Sequence, residues 1–146
     1  GLCLTVMGNT LLSHTVVSIP VVGIAANGHL EDLSQACSEL KKIGFKCVVV
    51  TLSEKGCVWT DSLKVNYFPG FKLEVVDTTG AGDVFHGAFI FGLLKKWKME
   101  KIIEFASACA ALKCRKLGGR EGIPSLKEVQ GFLKKRDTSS ASAGSV

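Results

Sequence analysis

Asp77-Thr78-Thr79-Gly80-Ala81-Gly82-Asp83 is the stretch on which the fold reading turns. An apolar run, Leu73 to Val76, precedes it, and a segment with helical character, about Gly82 to Trp97, follows it. A glycine-rich loop between such elements lets backbone approach an anion closely. The unpaired N–H groups that open a helix then face that anion, and the helix dipole favours negative charge there. Asp83 would repel a bound phosphate if it were only a neighbour. It makes chemical sense as a base that takes a proton from an attacking hydroxyl while the amides hold a transferring phosphoryl group. A helix capped by an aspartate would account for a lone G-x-G-D. Asp77 and Thr79 before the glycines, and the small Gly87 and Ala88 after Asp83, favour the catalytic reading.

Working outward, a second helix is expected from about Glu100 to Lys116, ended by Gly118-Gly119. Ser125 and Glu128 have the spacing of a capping box for a last helix reaching about Lys135. The Ser-, Ala- and Gly-rich tail from Asp137 reads as disordered. Gly87 and Gly92 are expected to let the Gly82–Trp97 helix pack closely on a sheet. Upstream, Leu33, Ala36, Cys37, Leu40 and Ile43 recur at helical spacing, and Gly44 suits a helix end. The β-branched run Lys46 to Leu52 predicts a buried strand. Ser53 to Gly56 reads as a tight turn, with strands at Cys57 to Thr60, Val65 to Phe68 and Leu73 to Val76 forming an antiparallel meander. Helix leading directly into buried strand indicates a layered α/β fold. Residues 1–28 read poorly: Val16 to Ile24 suggests a strand broken by Pro20, and Asn27-Gly28 a turn.

The 146-residue chain is 47% hydrophobic and 21% charged, an ordinary globular mixture. Its net charge of +5 gathers in short clusters, including Lys95-Lys96, Lys113 to Lys116 and Lys134 to Arg136, read as solvated surface. No continuous basic stripe indicates nucleic acid. Six cysteines without a C-x-x-C pair argue against a zinc site. Cys37, Cys47, Cys57 and Cys109 lie in apolar stretches as small hydrophobes, which suits a reducing, cytoplasmic setting. Polar residues from Asn9 to Thr15 interrupt the uncharged N-terminal stretch, which argues against a signal peptide or membrane span. The absence of an initiator Met at Gly1 suggests a partial gene model or a truncated product.

Residues 77–89, D-T-T-G-A-G-D-V-F-H-G-A-F, resemble the second signature of the ribokinase (PfkB) carbohydrate kinases. That resemblance implies a ribokinase-like layered sheet with flanking helices, present here as the C-terminal portion. It makes Asp83 the base that deprotonates a sugar hydroxyl, and the amides of Gly80, Ala81 and Gly82 the anion hole. It also implies a monovalent-cation site, K⁺ in some members, near Asp77 and Thr79, with Mg²⁺ arriving on ATP. V-V-V-T-L-S-E-K-G, residues 48–56, is similar to the family's T-x-G-x-x-G nucleotide turn. Thr51 and Gly56 match it, and Ser53 replaces the middle glycine, which it can do if φ there stays negative. Ser107 is expected on the adenine side, and Gly118 opens a loop, residues 118–124, that closes the nucleotide and cation sites. The wording of that loop resembles the branch acting on ketohexose-type substrates.

The resemblance covers about residues 31–136, between a poorly matched segment at 1–30 and the tail at 137–146. The family's upstream N-x-x-E motif is not supplied by Asn27-Gly28-His29-Leu30. Its acceptor half and lid have no counterpart here. The expected activity is therefore ATP-dependent phosphorylation of a sugar, ketohexose-like or pentose, with the isolated chain inactive. A homodimer is an expected state of the full-length enzyme. Two rival readings are a truncated nucleotide-binding module or pseudokinase, and a nucleoside or vitamin kinase of the same superfamily. His86, on the face of Asp83, is expected to be structural, Arg120 to be a solvated loop residue within reach of a phosphate, and Trp59, Tyr67 and Phe68 to cover a sheet edge.

Overall fold

The computed structural model describes residues 3–8, 15–20, 35, 37–39, 42, 47–60 and 64–142. The chain divides into two compact units, Gly1–Gly70 and Phe71–Val146. In the first, five strands, β1 (Cys3–Gly8), β2 (Thr15–Pro20), β3 (Cys47–Thr51), β4 (Gly56–Thr60) and β5 (Val65–Pro69), form one sheet in the order β2-β1-β3-β4-β5. Every neighbouring pair is antiparallel. The expected meander is present as β3-β4-β5, in register Val50 with Val58 and Val58 with Tyr67. β1 and β2 come from the segment that reads poorly, and β1 pairs Leu4 with Val50 of β3. Cys47, Val48, Val49 and Val50 are all buried, so β3 is covered on both faces. That is why its sequence is a continuous apolar run rather than an alternation.

Of the first expected helix, Gln35, residues 37–39 and Lys42 are helical, and Cys37 is fully buried. Leu33, Ala36, Leu40, Ile43 and Gly44, and the Asn27-Gly28 turn, lie outside the described residues.

The second unit holds three helices, α1 (Ala81–Leu94), α2 (Met99–Lys113) and α3 (Leu126–Ser142). Phe85, Ala88, Phe89 and Gly92 form the buried stripe of α1. Gly92 allows a close approach to α2, because a Cβ there would stand 2.9 Å from Ile102 Cγ1. A Cβ on Gly87 would meet nothing within 4 Å, so close packing at the glycines is a helix–helix matter and concerns Gly92 alone. α1 ends at Leu94, short of Trp97. Lys96 takes φ 54°, its N–H donates to Leu93 O, and the Trp97 N–H donates to Gly92 O. This is a Schellman closure with lysine where glycine is usual. Phe91, Trp97 and Phe105 pack together, with ring centroids 5.2–5.8 Å apart.

Leu73 to Val76 is not a strand. The N–H groups of Val76 and Asp77 both donate to Cys114 O, at 2.8 and 3.1 Å, so the segment bonds to the end of α2 instead of a sheet. Phe71 is held against Phe132 of α3, with centroids 5.1 Å apart. The capping box forms as expected: the Ser125 hydroxyl and N–H each donate to Glu128 Oε2 at 2.7 Å, and the Glu128 N–H donates to Ser125 Oγ at 3.3 Å. α3 continues to Ser142, past the Lys135 limit and through the first part of the tail expected to be disordered.

Candidate active site

Gly80 sets the geometry of the glycine-rich loop. It is the N-cap of α1 and adopts φ 75°, a left-handed conformation that glycine reaches without strain. Its carbonyl accepts from the Val84 N–H at 3.0 Å, and the Ala81 N–H turns back to Thr78 O at 3.1 Å. Ala81 is thus engaged inside the turn. The N–H groups of Gly82 and Asp83 meet no acceptor among the described residues, as expected of an opening helical turn. A Cβ on Gly82 would meet nothing within 4 Å, and its φ is not positive. The conformational need for glycine therefore falls on Gly80, while a Cβ on Gly82 would enter open space.

Asp77 fastens this loop from behind. Its Oδ1 accepts from the Thr79 N–H at 2.9 Å and the Thr79 hydroxyl at 2.7 Å, and its Oδ2 accepts from the Gly118 N–H at 2.8 Å. These donors, with the Lys113 ammonium adding to them, hold its carboxyl down at about 2. Gly118 sits at φ 87°. Gly119 lies against the glycine-rich loop, with its O 3.4 Å from where a Cβ on Gly80 would stand. Asp77, Thr79, Gly80 to Asp83 and Gly118 are therefore brought together.

Lys113 corrects the reading of residues 113–116 as solvated surface. It is fully buried, its Nζ donates to Asp77 O at 3.0 Å, and the same nitrogen lies 3.9 Å from Asp77 Oδ2. A signal was available, since Lys113 continues the buried spacing Ile102, Ala106, Cys109 along α2. Gly122 is pressed against this helix end, where a Cβ would stand 2.3 Å from Lys113 O.

A cavity of about 650 Å³ opens beside the loop. Its polar side carries Thr79, Asp83 and Arg120, and its apolar wall includes Val84, Phe91 and Phe105. Ser107 is not among the lining residues: two positions on from Phe105, it is turned by about 200° around the helix. The His86 Nδ1–H donates to Gly82 O at 2.7 Å, which gives the ring a structural bond one turn back.

The nucleotide turn belongs to the first unit. Thr51 ends β3, and Ser53–Lys55 is a single 3₁₀ turn closed by Gly56. The Leu52 N–H donates to Gly56 O at 2.7 Å, and the Tyr67 hydroxyl donates to Lys55 O. Ser53 has φ 53°, against the negative φ expected for a serine in glycine's place. Gly56 has φ 102°, and a Cβ there would stand 2.0 Å from Phe68 O, so no other residue fits. Trp59 is buried within the sheet, whereas Tyr67 is half exposed on the β5 edge.

The family model of the pfkB family carbohydrate kinases matches residues 22–126, well over half of the chain. The chain belongs to this family. The match begins at residue 22, upstream of the expected start at 31. A ribokinase of Lactococcus lactis is 38% identical over 99 residues, which cover 68% of this chain and 33% of the relative. The structure of Arabidopsis thaliana ribokinase complexed with ribose and ATP superposes with a TM-score of 0.69 at 34% identity, covering 73% of this chain and 35% of that one. Escherichia coli phosphofructokinase-2 in complex with potassium superposes at 0.64 and 26% identity, covering 70% and 33%. This chain thus spans about a third of the length of the pfkB relatives it matches. Among the described residues no helix is long and apolar enough to cross a membrane.

Proposed function

We propose that the chain carries the phosphate-binding and catalytic portion of an ATP-dependent sugar kinase, with Asp83 as general base. The observation that carries this is the opening turn of α1. Gly80 turns the chain, the Gly82 and Asp83 amides are left for an anion, and Asp83, in the same turn, lines a cavity. Phosphoryl transfer asks little more of a protein than this positioning and charge stabilisation. The anion hole is assigned to Gly80, Gly82 and Asp83 rather than Ala81, whose N–H is spent on Thr78 O. Arg120 lines the same cavity and is suited to a phosphate oxygen.

ATP is the proposed phosphoryl donor, and Thr51, Ser53, Gly56, Ser107 and Gly118 remain its proposed nucleotide-side contacts, Ser107 from outside the cavity wall that Phe105 and Cys109 line. Mg²⁺ is proposed to come with the nucleotide; among the described residues no three His, Cys, Asp or Glu side chains gather to hold a metal. The acceptor is proposed to be a ketohexose-like sugar or a pentose. Buried cysteines at 37, 47, 57, 109 and 114 that form no disulfide support a cytoplasmic setting.

In a chain extended to the length of its relatives, Asp83→Asn should lower turnover about a thousandfold, within the 10²–10⁴ range of general-base catalysis, and leave ATP affinity nearly unchanged. Turnover within about tenfold of the parent would remove Asp83 as the base. The 146-residue chain alone should give no turnover with ATP, Mg²⁺ and a panel of hexoses and pentoses. Turnover near 1 s⁻¹ would mean that this chain builds an acceptor site of its own.

A further inference from the structure

Asp77 and Thr79 are where the family resemblance places a monovalent cation, and the structure holds a cation there already. Each oxygen of Asp77 has a donor: Thr79 twice on Oδ1, Gly118 on Oδ2, and Lys113 Nζ on the main-chain O. The Lys113 side chain is wholly buried, although its neighbours Arg115 and Lys116 are exposed. A buried ammonium is costly unless paired, and its pairing here is with Asp77 alone among the described residues. A second cation drawn to the same oxygens would stand against that ammonium in a site of low dielectric. The residues present therefore do not fit a bound K⁺.

We propose that the Lys113 ammonium is a built-in replacement for the monovalent cation. It is a positioning residue, acting through Asp77 on the Thr79–Asp83 loop. Carried on the last turn of α2, its charge neutralises Asp77 and ties the start of the loop to that helix end. The Cys114 carbonyl reinforces this tie by accepting from the Val76 and Asp77 N–H groups. Gly122 lets the 118–124 segment close over the same helix end. The inference rests on the phosphoryl-transfer reading only for its consequence, a kinase indifferent to K⁺.

The test follows the Thr79 and Gly118 amide resonances of the 146-residue chain while KCl replaces tetramethylammonium chloride at constant ionic strength. It needs neither nucleotide nor turnover, so its failure is distinct from failure of the kinase reading. The parent should show no saturable, K⁺-selective shift. Lys113→Met, and Lys113→Gln, which keeps a donor but no charge, should both acquire one, and K⁺ should raise their thermal midpoints. A saturable K⁺-selective shift in the parent overturns the proposal whether or not either variant folds. So does a folded variant that ignores K⁺.

Discussion

Gly80 and Gly82 lie two residues apart in one loop, and alanine at each should move stability in opposite directions. At Gly80 the backbone is at φ 75°. A side chain there costs about 1–2 kcal/mol for left-handed geometry. Its Cβ would meet Gly119 O at 3.4 Å, an ordinary van der Waals contact, so the cost is that of the backbone alone. At Gly82 the Cβ enters open space within the first turn of α1, and replacing glycine with alanine in a helix gains about 0.5–1 kcal/mol. The two variants should therefore differ by about 1.5–3 kcal/mol, or about 10- to 150-fold in the folding equilibrium. Urea unfolding of the 146-residue chain reads this directly, with unchanged slope indicating that only stability has moved.

The stabilised variant should nevertheless bind phosphate less well. Its methyl group enters open space on the turn that carries the Gly82 and Asp83 amides, the two of the first three in α1 with no acceptor among the described residues. Calorimetric titration with ATP in the extended chain separates the effects. A more stable Gly82→Ala protein with undiminished affinity would show that the anion does not sit at this turn. A destabilised Gly82→Ala, or a neutral Gly80→Ala, would refute the loop geometry itself.

Ser53→Gly should stabilise the chain by up to about 1 kcal/mol, because Ser53 holds φ 53° where glycine is unstrained; a loss in the urea midpoint would contradict that geometry. The Asp77 carboxyl is held at about 2 against an ordinary 3.8, so its contribution to stability is complete above the higher value and lost as pH falls through the lower one. Asp77→Asn should remove that part of the acid-induced fall in stability, and an unchanged acid limb would show that the Thr79 and Gly118 bonds do not form in solution. All six cysteines should titrate as thiols in denaturant without reductant, and fewer would reveal a disulfide. In the native chain Cys109, raised to about 12 by burial, should be among the slowest to alkylate near neutral pH.

Elements that announce themselves through local chemistry were legible in the sequence. The β-branched run at 47–51, the Ser125–Glu128 box and the glycines before α1 each form what their residue types favour. Leu73 to Val76 has the composition of a strand, but its amides find Cys114 O at the end of a helix, a partner 38 residues away from Val76 that no local pattern names. Serine ordinarily prefers negative φ, but Ser53 sits at φ 53° in the turn between β3 and β4, where Gly56 O accepts from the Leu52 N–H. Lys113 is the most instructive case. The three basic residues within 113–116, Lys113, Arg115 and Lys116, would ordinarily all be solvated, but Lys113 is buried together with Cys114. Helical spacing from Ile102 through Ala106 and Cys109 assigns Lys113 to the inside, where a lysine survives only if an anion waits for it. The aspartate that opens the glycine-rich loop is that anion. Periodicity and motif, read separately as packing and as chemistry, thus describe one interaction, and a charged residue falling on a buried stripe is the sequence signal that joins them.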